Sequence, residues 1–365
     1  LAKVRALFYV LQQLTKEAAP ILTQPHIKEA KEYIECRDNL YFFKTDIKSF
    51  FDSIIHEVLI DKLKDAVDST CIQLVANAIK TPTCEPGYKI DKINAIGVPQ
   101  GISIASVLAE KYMEDFDIEV RALVESNDGL YIRYVDDILI LSPRKIEWLS
   151  ILEEVIRKNS LGLVFTSEKT KTGLLINDSV DYIGYNIKHK LIGVKAINQR
   201  LFSDRLAGRC HKFIKQLNNK SLRPRFITDD ASFLEYSVMD INLLISGFRV
   251  GAHNHGWLPY FQQITDLTIL YQLDSVVRRI CGSTSIIHRL QSFVKTYHAL
   301  RRNSGLPYVY NFDNATTIIQ KTTILQKMGR ISLSDHLSDA AIEYLFDCLI
   351  EDLTRDAKKD MKELS

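Results

Sequence analysis

Two stretches of the chain put carboxylates where carboxylates are expensive. In 130-LYIRYVDDILIL-141 the pair Asp136 and Asp137 interrupts a run of strand-forming residues. Successive strand residues face opposite sides, so at least one acid must point at whatever the sheet packs on. A buried, unpaired carboxylate is costly, so either a turn lifts both side chains out or a cation binds them. In 40-LYFFKTDI-47 a third acid, Asp46, lies near the end of another expected strand. If the two strands are neighbours in one sheet, three carboxylates meet at one edge. Hard divalent cations take oxygen ligands, usually one or two carboxylates plus substrate phosphates. Two such ions a few ångströms apart activate a hydroxyl and stabilise the leaving oxygen of an in-line phosphoryl displacement. An Asp-Asp pair by itself is as easily the tip of an exposed, solvated hairpin.

The elements that must carry these acids follow from periodicity. Residues 2–18 have Val4, Leu7, Phe8, Leu11 and Leu14 at helical spacing, and 27–36 reads as a second helix. The strand at 40–47 leads into helical residues over roughly 55–80, turns and a hairpin over 81–97, and one long helix over 101–126. Asn127-Asp128-Gly129 turns the chain into the acid-bearing strand. A helix over 145–159 and short strands around 162–166 and 180–188 come next, and from about 198 the pattern is mostly helical, with loops near 220–230 and 251–259.

Composition sets outer bounds. The chain has 365 residues, 46% hydrophobic and 25% charged, the balance of an ordinary globular protein. No apolar run approaches the ~20 residues of a membrane helix, and no signal peptide is visible. Cys36, Cys71, Cys84, Cys210, Cys281 and Cys348 form no CxxC pair and read as thiols of a reducing cytosol, so a cytoplasmic location and no membrane partner are expected. The net charge is only +2, but residues 200–302 hold 15 lysines and arginines against 7 aspartates and glutamates, a local balance of +8. His253-Asn254-His255 lies between Gly251 and Gly256 without nearby Cys, Asp or Glu and reads as a loop, since two histidines do not complete a zinc site.

Around the acids the chain resembles reverse transcriptases. KTDIKSFFDSI (44–54) is similar to that family's first palm motif, GVPQGISIAS (97–106) to its PQG motif and YIRYVDDILIL to its YxDD motif. LGLVFTSEKTK (161–171) resembles the lysine-bearing motif that follows, and DYIGYNI (181–187) the primer-grip hairpin. The motifs stand in family order over about residues 40–190, and the nearest resemblance is to bacterial types: group II intron, retron, and abortive-infection or defence enzymes. AKVRALFYVLQQL (2–14) resembles the helix that precedes the first palm motif in the intron type, while INLLISGF (241–248) and LDSVVRRI (273–280) resemble its thumb. Only 45 residues precede Asp46, so the family's basic fingers strands are expected either upstream of this numbering or replaced.

The resemblance implies an α+β fold: a right-hand polymerase palm, an antiparallel sheet with packed helices, followed by a mainly helical thumb and C-terminal region. It divides the chain into residual fingers and N-terminal helices (1–39), a palm (40–190) with an inserted fingers-like segment at about 55–96, a basic helical thumb (198–302) and a C-terminal helical extension (303–365). It assigns Asp46 and Asp136 as main metal ligands, with the Ile47 carbonyl completing the shell and Asp137 adding charge, around two Mg2+ ions that Mn2+ can replace. Phe51 takes the sugar-gate position, where a ring clashes with a 2′-hydroxyl. In an extended chain Phe50 and Phe51 face opposite ways, so one of them is core. Gln100 and Gly101 lie against the nascent base pair, and Gly101 lets backbone approach closely. Lys169 neutralises or protonates the leaving pyrophosphate, with Lys171 as its neighbouring candidate. Arg133 lies beside the catalytic hairpin, Tyr182 and Tyr185 either brace the primer or are core of their hairpin, and Arg278 and Arg279 contact phosphates.

The implied partners are dNTPs and an RNA or DNA template-primer, with a dedicated noncoding RNA and an oligomer left open. The implied activity is RNA-directed DNA synthesis in bacterial anti-phage defence. Two alternatives stand beside it: a template-independent or protein-primed polymerase of the abortive-infection type, and a maturase-like RNA-binding scaffold.

Overall fold

A computed structural model describes residues 23–81, 95–102, 104–251, 253–302 and 308–364. The expected helix over 2–18 and most of the hairpin over 81–97 lie outside these residues. The chain divides into two compact units, Leu1–Ile183 with Ile187–Lys190, and Gly184–Asn186 with Leu191–Ser365.

The first unit is built on a four-stranded antiparallel sheet. After helix α1 (Thr23–Glu35) comes β1 (Tyr41–Asp46), followed by α2 (Phe50–Ser53), α3 (His56–Leu63), α4 (Ser69–Ile79) and the long α5 (Ala105–Glu125). Strands β2 (Leu130–Tyr134) and β3 (Asp137–Ser142), helix α6 (Trp148–Lys158) and strand β4 (Lys171–Leu174) complete the frame. The sheet order is β2-β3-β1-β4. Ile138, Leu139, Ile140 and Leu141 are all fully buried, because this central strand is covered on both faces. Each such side chain contributes about 1.5–3 kcal/mol through burial. Val107, Leu108, Tyr112, Met113, Phe116, Val120 and Val124 form the buried stripe of α5, at the 3–4 spacing of an amphipathic helix.

The register does what the sequence only suggested. β1 pairs antiparallel with β3, and Asp46 stands directly opposite Asp137. The two acid-bearing strands are therefore central neighbours. Three segments depart from expectation. Residues 55–80 form two helices, because Asp68 accepts the backbone N–H of Cys71 (2.9 Å) and starts a new one. Around 162–166 there is a single antiparallel bridge, Ile47 to Phe165, in place of a strand. Phe50 and Phe51 lie in the short helix α2, not in extended chain.

The second unit is mainly helical. It contains α7 (Ala196–Asn218), α8 (Asp230–Ser246), α9 (Trp257–Tyr260), α10 (Thr268–Cys281), α11 (Phe293–Arg302), α12 (Ile318–Lys327) and α13 (Asp339–Leu364). An aromatic cluster fills its core, with Phe202 stacked on Trp257 (4.4 Å between centroids) and edge-on to Phe293. The His-Asn-His segment is a strand, His253–His255, paired antiparallel with Phe248–Val250, in place of the expected loop. Stacking of His255 on Phe248 (5.3 Å) accounts for its place there without a metal. Among the described residues no helix is long and apolar enough to cross a membrane. The expected class, an antiparallel palm-like sheet with packed helices followed by a mainly helical region, is what the chain adopts.

Gly129 ends the turn that feeds β2. A Cβ there would lie 2.6 Å from Val124 Cγ1 and 3.0 Å from the backbone oxygens of Leu141 and Val124. Two of those three atoms are backbone and cannot rotate away. Gly129→Ala is expected to destabilise the protein by about 1–3 kcal/mol, read as a lowered thermal midpoint; an unchanged midpoint would mean the turn has slack that this geometry denies.

Candidate active site

Asp46 closes β1 and is 7% exposed. Its Oδ2 accepts a hydrogen bond from Lys169 Nζ at 2.9 Å, and its Oδ1 accepts one from Thr166 Oγ1 at 3.2 Å. The backbone locks the same neighbourhood, since Thr166 N donates to the Asp46 carbonyl (2.8 Å). Thr170 Oγ1 meets Thr45 Oγ1 at 2.8 Å, so the residues flanking the 3-10 turn Ser167–Lys169 are tied to β1 at both Thr45 and Asp46. Asp136 occupies the turn between β2 and β3, and its carbonyl accepts the N–H of Ile47 at 3.0 Å. That bond sets the Ile47 peptide beside the acid turn.

Electrostatics separate the three acids. Burial holds the Asp136 carboxyl above its ordinary value, and the charges of Asp46 and Asp137 push the same way. Lys169 is raised in turn, first by its hydrogen bond to Asp46 and then by the surrounding carboxylates. Asp137 already has a counter-ion: its Oδ1 is 2.8 Å from Lys44 Nζ. Its carboxylate adds charge beside Asp46 and Asp136 while paired to that lysine. Lys44 and Asp46 alternate onto one face of β1, and the register brings Asp137 to that face, within reach of the lysine. Among the described residues no three of His, Cys, Asp and Glu gather closely enough to hold an ion among themselves.

The donor set fits a divalent cation completed by ligands from outside the protein. Two carboxylates at one sheet edge, one of them under charge strain, leave negative charge that Lys169 offsets only in part. The lysine ammonium pairs with Asp46 from a side chain that is 57% exposed, and Asp46 and Asp136 would be the residues to hold such an ion. A bound divalent ion would supply a Lewis acid for a phosphoryl group and a means of activating a hydroxyl.

The sequence profile of the family described as reverse transcriptase (RNA-dependent DNA polymerase) matches residues 3–187. The chain belongs to the reverse transcriptase family. It is 25% identical, over 41% of its length, to an uncharacterized 91 kDa protein in the cob intron of Schizosaccharomyces pombe, of which it covers 25%. Among solved structures it is similar to telomerase from Candida albicans bound to a fragment of telomeric RNA (13% identity, TM-score 0.43, covering 100% of this chain and 56% of that one). It is also similar to apo telomerase from Candida tropicalis (15% identity, TM-score 0.44, 94% and 61%). The chain thus spans from a quarter to about three-fifths of the length of these proteins.

The remaining sequence-derived positions of this reverse transcriptase fall into two groups. Phe50 is 3% exposed and belongs to the core, whereas Phe51 is half-buried with its ring 5.5 Å away. The Phe51 carbonyl accepts Val98 N and the Ile54 carbonyl accepts Gly97 N, both at 2.8 Å, so α2 and the 97–101 loop are joined. Gln100 is exposed. Gly101 has φ +86°, and a Cβ added to it would meet no atom within 4 Å, so open backbone lies on the left-handed side. Lys171 is exposed on β4, while Arg278 and Arg279 are exposed on α10 of the second unit.

The tyrosines require correction. Tyr182 is 1% and Tyr185 0% exposed, so neither ring faces a nucleic-acid strand. Tyr182 donates its hydroxyl to the Asp137 carbonyl (3.4 Å) and Tyr185 to the Tyr260 carbonyl (2.5 Å). The turn between them holds Ile183 (φ 38°), itself buried, and Gly184 (φ 82°). Sequence reasoning missed Lys44 and Thr166. Lys44 had a signal, since position i−2 of a strand shares the face of Asp46; Thr166 had none.

The shifted acid gives a stability test. Asp136 binds its proton more tightly in the folded chain than in the unfolded one. Its ionised form therefore lowers stability above the folded pKa; the penalty fades as pH falls from there toward the unfolded value and is absent below it. Asp136→Asn is expected to raise the metal-free thermal midpoint by roughly 1–3 °C at neutral pH, with the gain vanishing on acidification. A midpoint lowered at neutral pH would contradict the charge-strain account.

Proposed function

We propose that this chain is an RNA-directed DNA polymerase that adds dNTPs to a primer by two-metal phosphoryl transfer. The observation that carries the reading is the meeting of Asp46 and Asp136 at one edge of the palm sheet, beside an ammonium that can yield its place. In this reading Asp46, Asp136 and the Ile47 carbonyl would hold Mg2+, which would supply a Lewis acid to the incoming triphosphate. Lys169, released from Asp46, moves to the triphosphate and neutralises the leaving pyrophosphate. Gln100 and Gly101 abut the nascent pair. Residues 40–190 serve as palm, the basic segment 198–302 as thumb with Arg278 and Arg279 on phosphates, and 303–365 as an extension. The template is RNA or DNA.

The cellular setting we propose from motif resemblance is bacterial anti-phage defence. A second reading, a maturase-like RNA-binding role, gains support from the similarity to a protein in the cob intron. The two part on one result: an RNA-folding role would survive Asp136→Asn.

Purified protein with Mg2+, dNTPs and a primed RNA template is expected to extend the primer, and Asp46→Asn or Asp136→Asn to abolish extension while the fold persists. Loss of one ligand forfeits several kcal/mol of transition-state stabilisation. An Asn variant with near-normal turnover would remove that residue from the site. Product made without template would favour the template-independent alternative.

Sugar choice tests the Phe51 position. Its backbone carbonyl joins the loop that leads to Gln100 and Gly101, and in this reading its ring would clash with a 2′-hydroxyl. An apolar wall rejects an added hydroxyl by only about a hundredfold, and a clash by more. Phe51→Ala is expected to admit rNTPs in steady-state incorporation, whereas Phe50→Ala is expected to cost about 3–5 kcal/mol of stability and leave the dNTP/rNTP ratio alone. The reverse pattern would move the gate to Phe50.

A further inference from the structure

Resting on the polymerase reading, we propose that Arg133 is a positioning residue: its guanidinium holds the Val135 turn in the strained conformation that aims Asp136 at Asp46. The turn itself motivates this. Val135 has φ 57°, in the left-handed region that β-branched residues avoid. A residue persists there only where its surroundings over-determine it.

Two hydrogen bonds grip the turn. From one side Ile47 N–H donates to the Asp136 carbonyl (3.0 Å). From the other, Arg133 Nη1 donates to the Val135 carbonyl at 2.7 Å. The Arg133 side chain is 3% exposed, and every one of its N–H groups is used. Nε and Nη2 fork onto Asp117 (2.8 and 2.6 Å), and Nη1 and Nη2 fork onto Glu110 (3.1 and 2.7 Å). Tyr131 Oη fixes Asp117 further at 2.6 Å. Two bidentate pairs set both the position and the plane of the guanidinium. The one N–H left over then has a single direction, and it ends on the carbonyl next to the catalytic acid. A lysine has no planar fork and cannot hold both carboxylates and the carbonyl together.

The bland alternative makes Arg133 only a buried tie between α5 and β2. Both accounts predict a loss on mutation, so a double-mutant cycle separates them. Single-nucleotide addition is measured at saturating Mg2+ on wild type, Arg133→Lys, Val135→Asn and the double variant. Asn adopts the left-handed region more readily than Val, which relieves the strain Arg133 is holding. Arg133→Lys is expected to lower kcat by roughly 10–100-fold, with the dNTP KM within about threefold, as small misplacements of reacting groups do. In the Val135→Asn background that loss should shrink at least about fivefold. The same factor in both backgrounds, or a folded Arg133→Lys enzyme with wild-type kcat, overturns the proposal. If Arg133→Lys does not fold, Glu110→Gln takes its place, loosening one of the two grips, with the same non-additivity expected and additivity overturning it. Thermal midpoints of the same variants give a second reading: Val135→Asn should raise the midpoint less in the Arg133→Lys background than in wild type, because a turn freed from Arg133 has already shed part of its strain. That reading stands even if wild type adds no nucleotide, a result that would sink the polymerase reading alone.

Discussion

Asp46 and Asp136 repel each other, and much of the first unit is arranged so that they cannot separate. The antiparallel register puts the ends of β1 and β3 side by side. The Ile47–Asp136 backbone bond then binds the acid turn to the chain just beyond β1. Burial withholds the water that would otherwise spread the charge, and the Asp136 carboxyl is raised as a result. The fully buried β3 side chains secure the strand against that repulsion, so the apolar core and the charged edge are parts of one balance.

Two lysines handle the charge differently. Lys44, largely buried, pairs with Asp137 and makes it part of the scaffold. Lys169 is mostly exposed on a short turn and pairs with Asp46. Only the second can leave without unpacking anything. The difference gives one acid a buried counter-ion and the other an exposed one that can exchange. Adjacent aspartates of identical chemistry thus take unlike parts because strand pleat and turn send them to different neighbours.

The sequence made the acids legible because a carboxylate inside a strand pattern demands an explanation, and five ordered motifs narrowed it. The long helix before β2 and the mainly helical second half were legible from periodicity. Other features were not. For Tyr182 and Tyr185 the sequence left a primer contact and a core place both open, and the structure buries both rings. The pairing of Asp137 with Lys44 depends on the register between two strands far apart along the chain. His253–His255 became a strand because Phe248–Val250 offered a partner, a tertiary effect that flanking glycines concealed. Phe50 and Phe51 were separated correctly into core and half-buried positions, though by the turn of a helix and not by strand alternation.

Binding of Mn2+ to the free protein, followed by the electron paramagnetic resonance signal of the unbound ion, tests the centre of this account most directly. Wild type should take up Mn2+, more tightly when a dNTP is present, and Lys169→Ala should strengthen uptake in the absence of nucleotide by removing the competing ammonium. Asp46→Asn and Asp136→Asn should each weaken it sharply, and Asp137→Asn much less. Equal binding by wild type and both Asp46 and Asp136 variants would contradict the account, as would weaker binding on loss of Lys169.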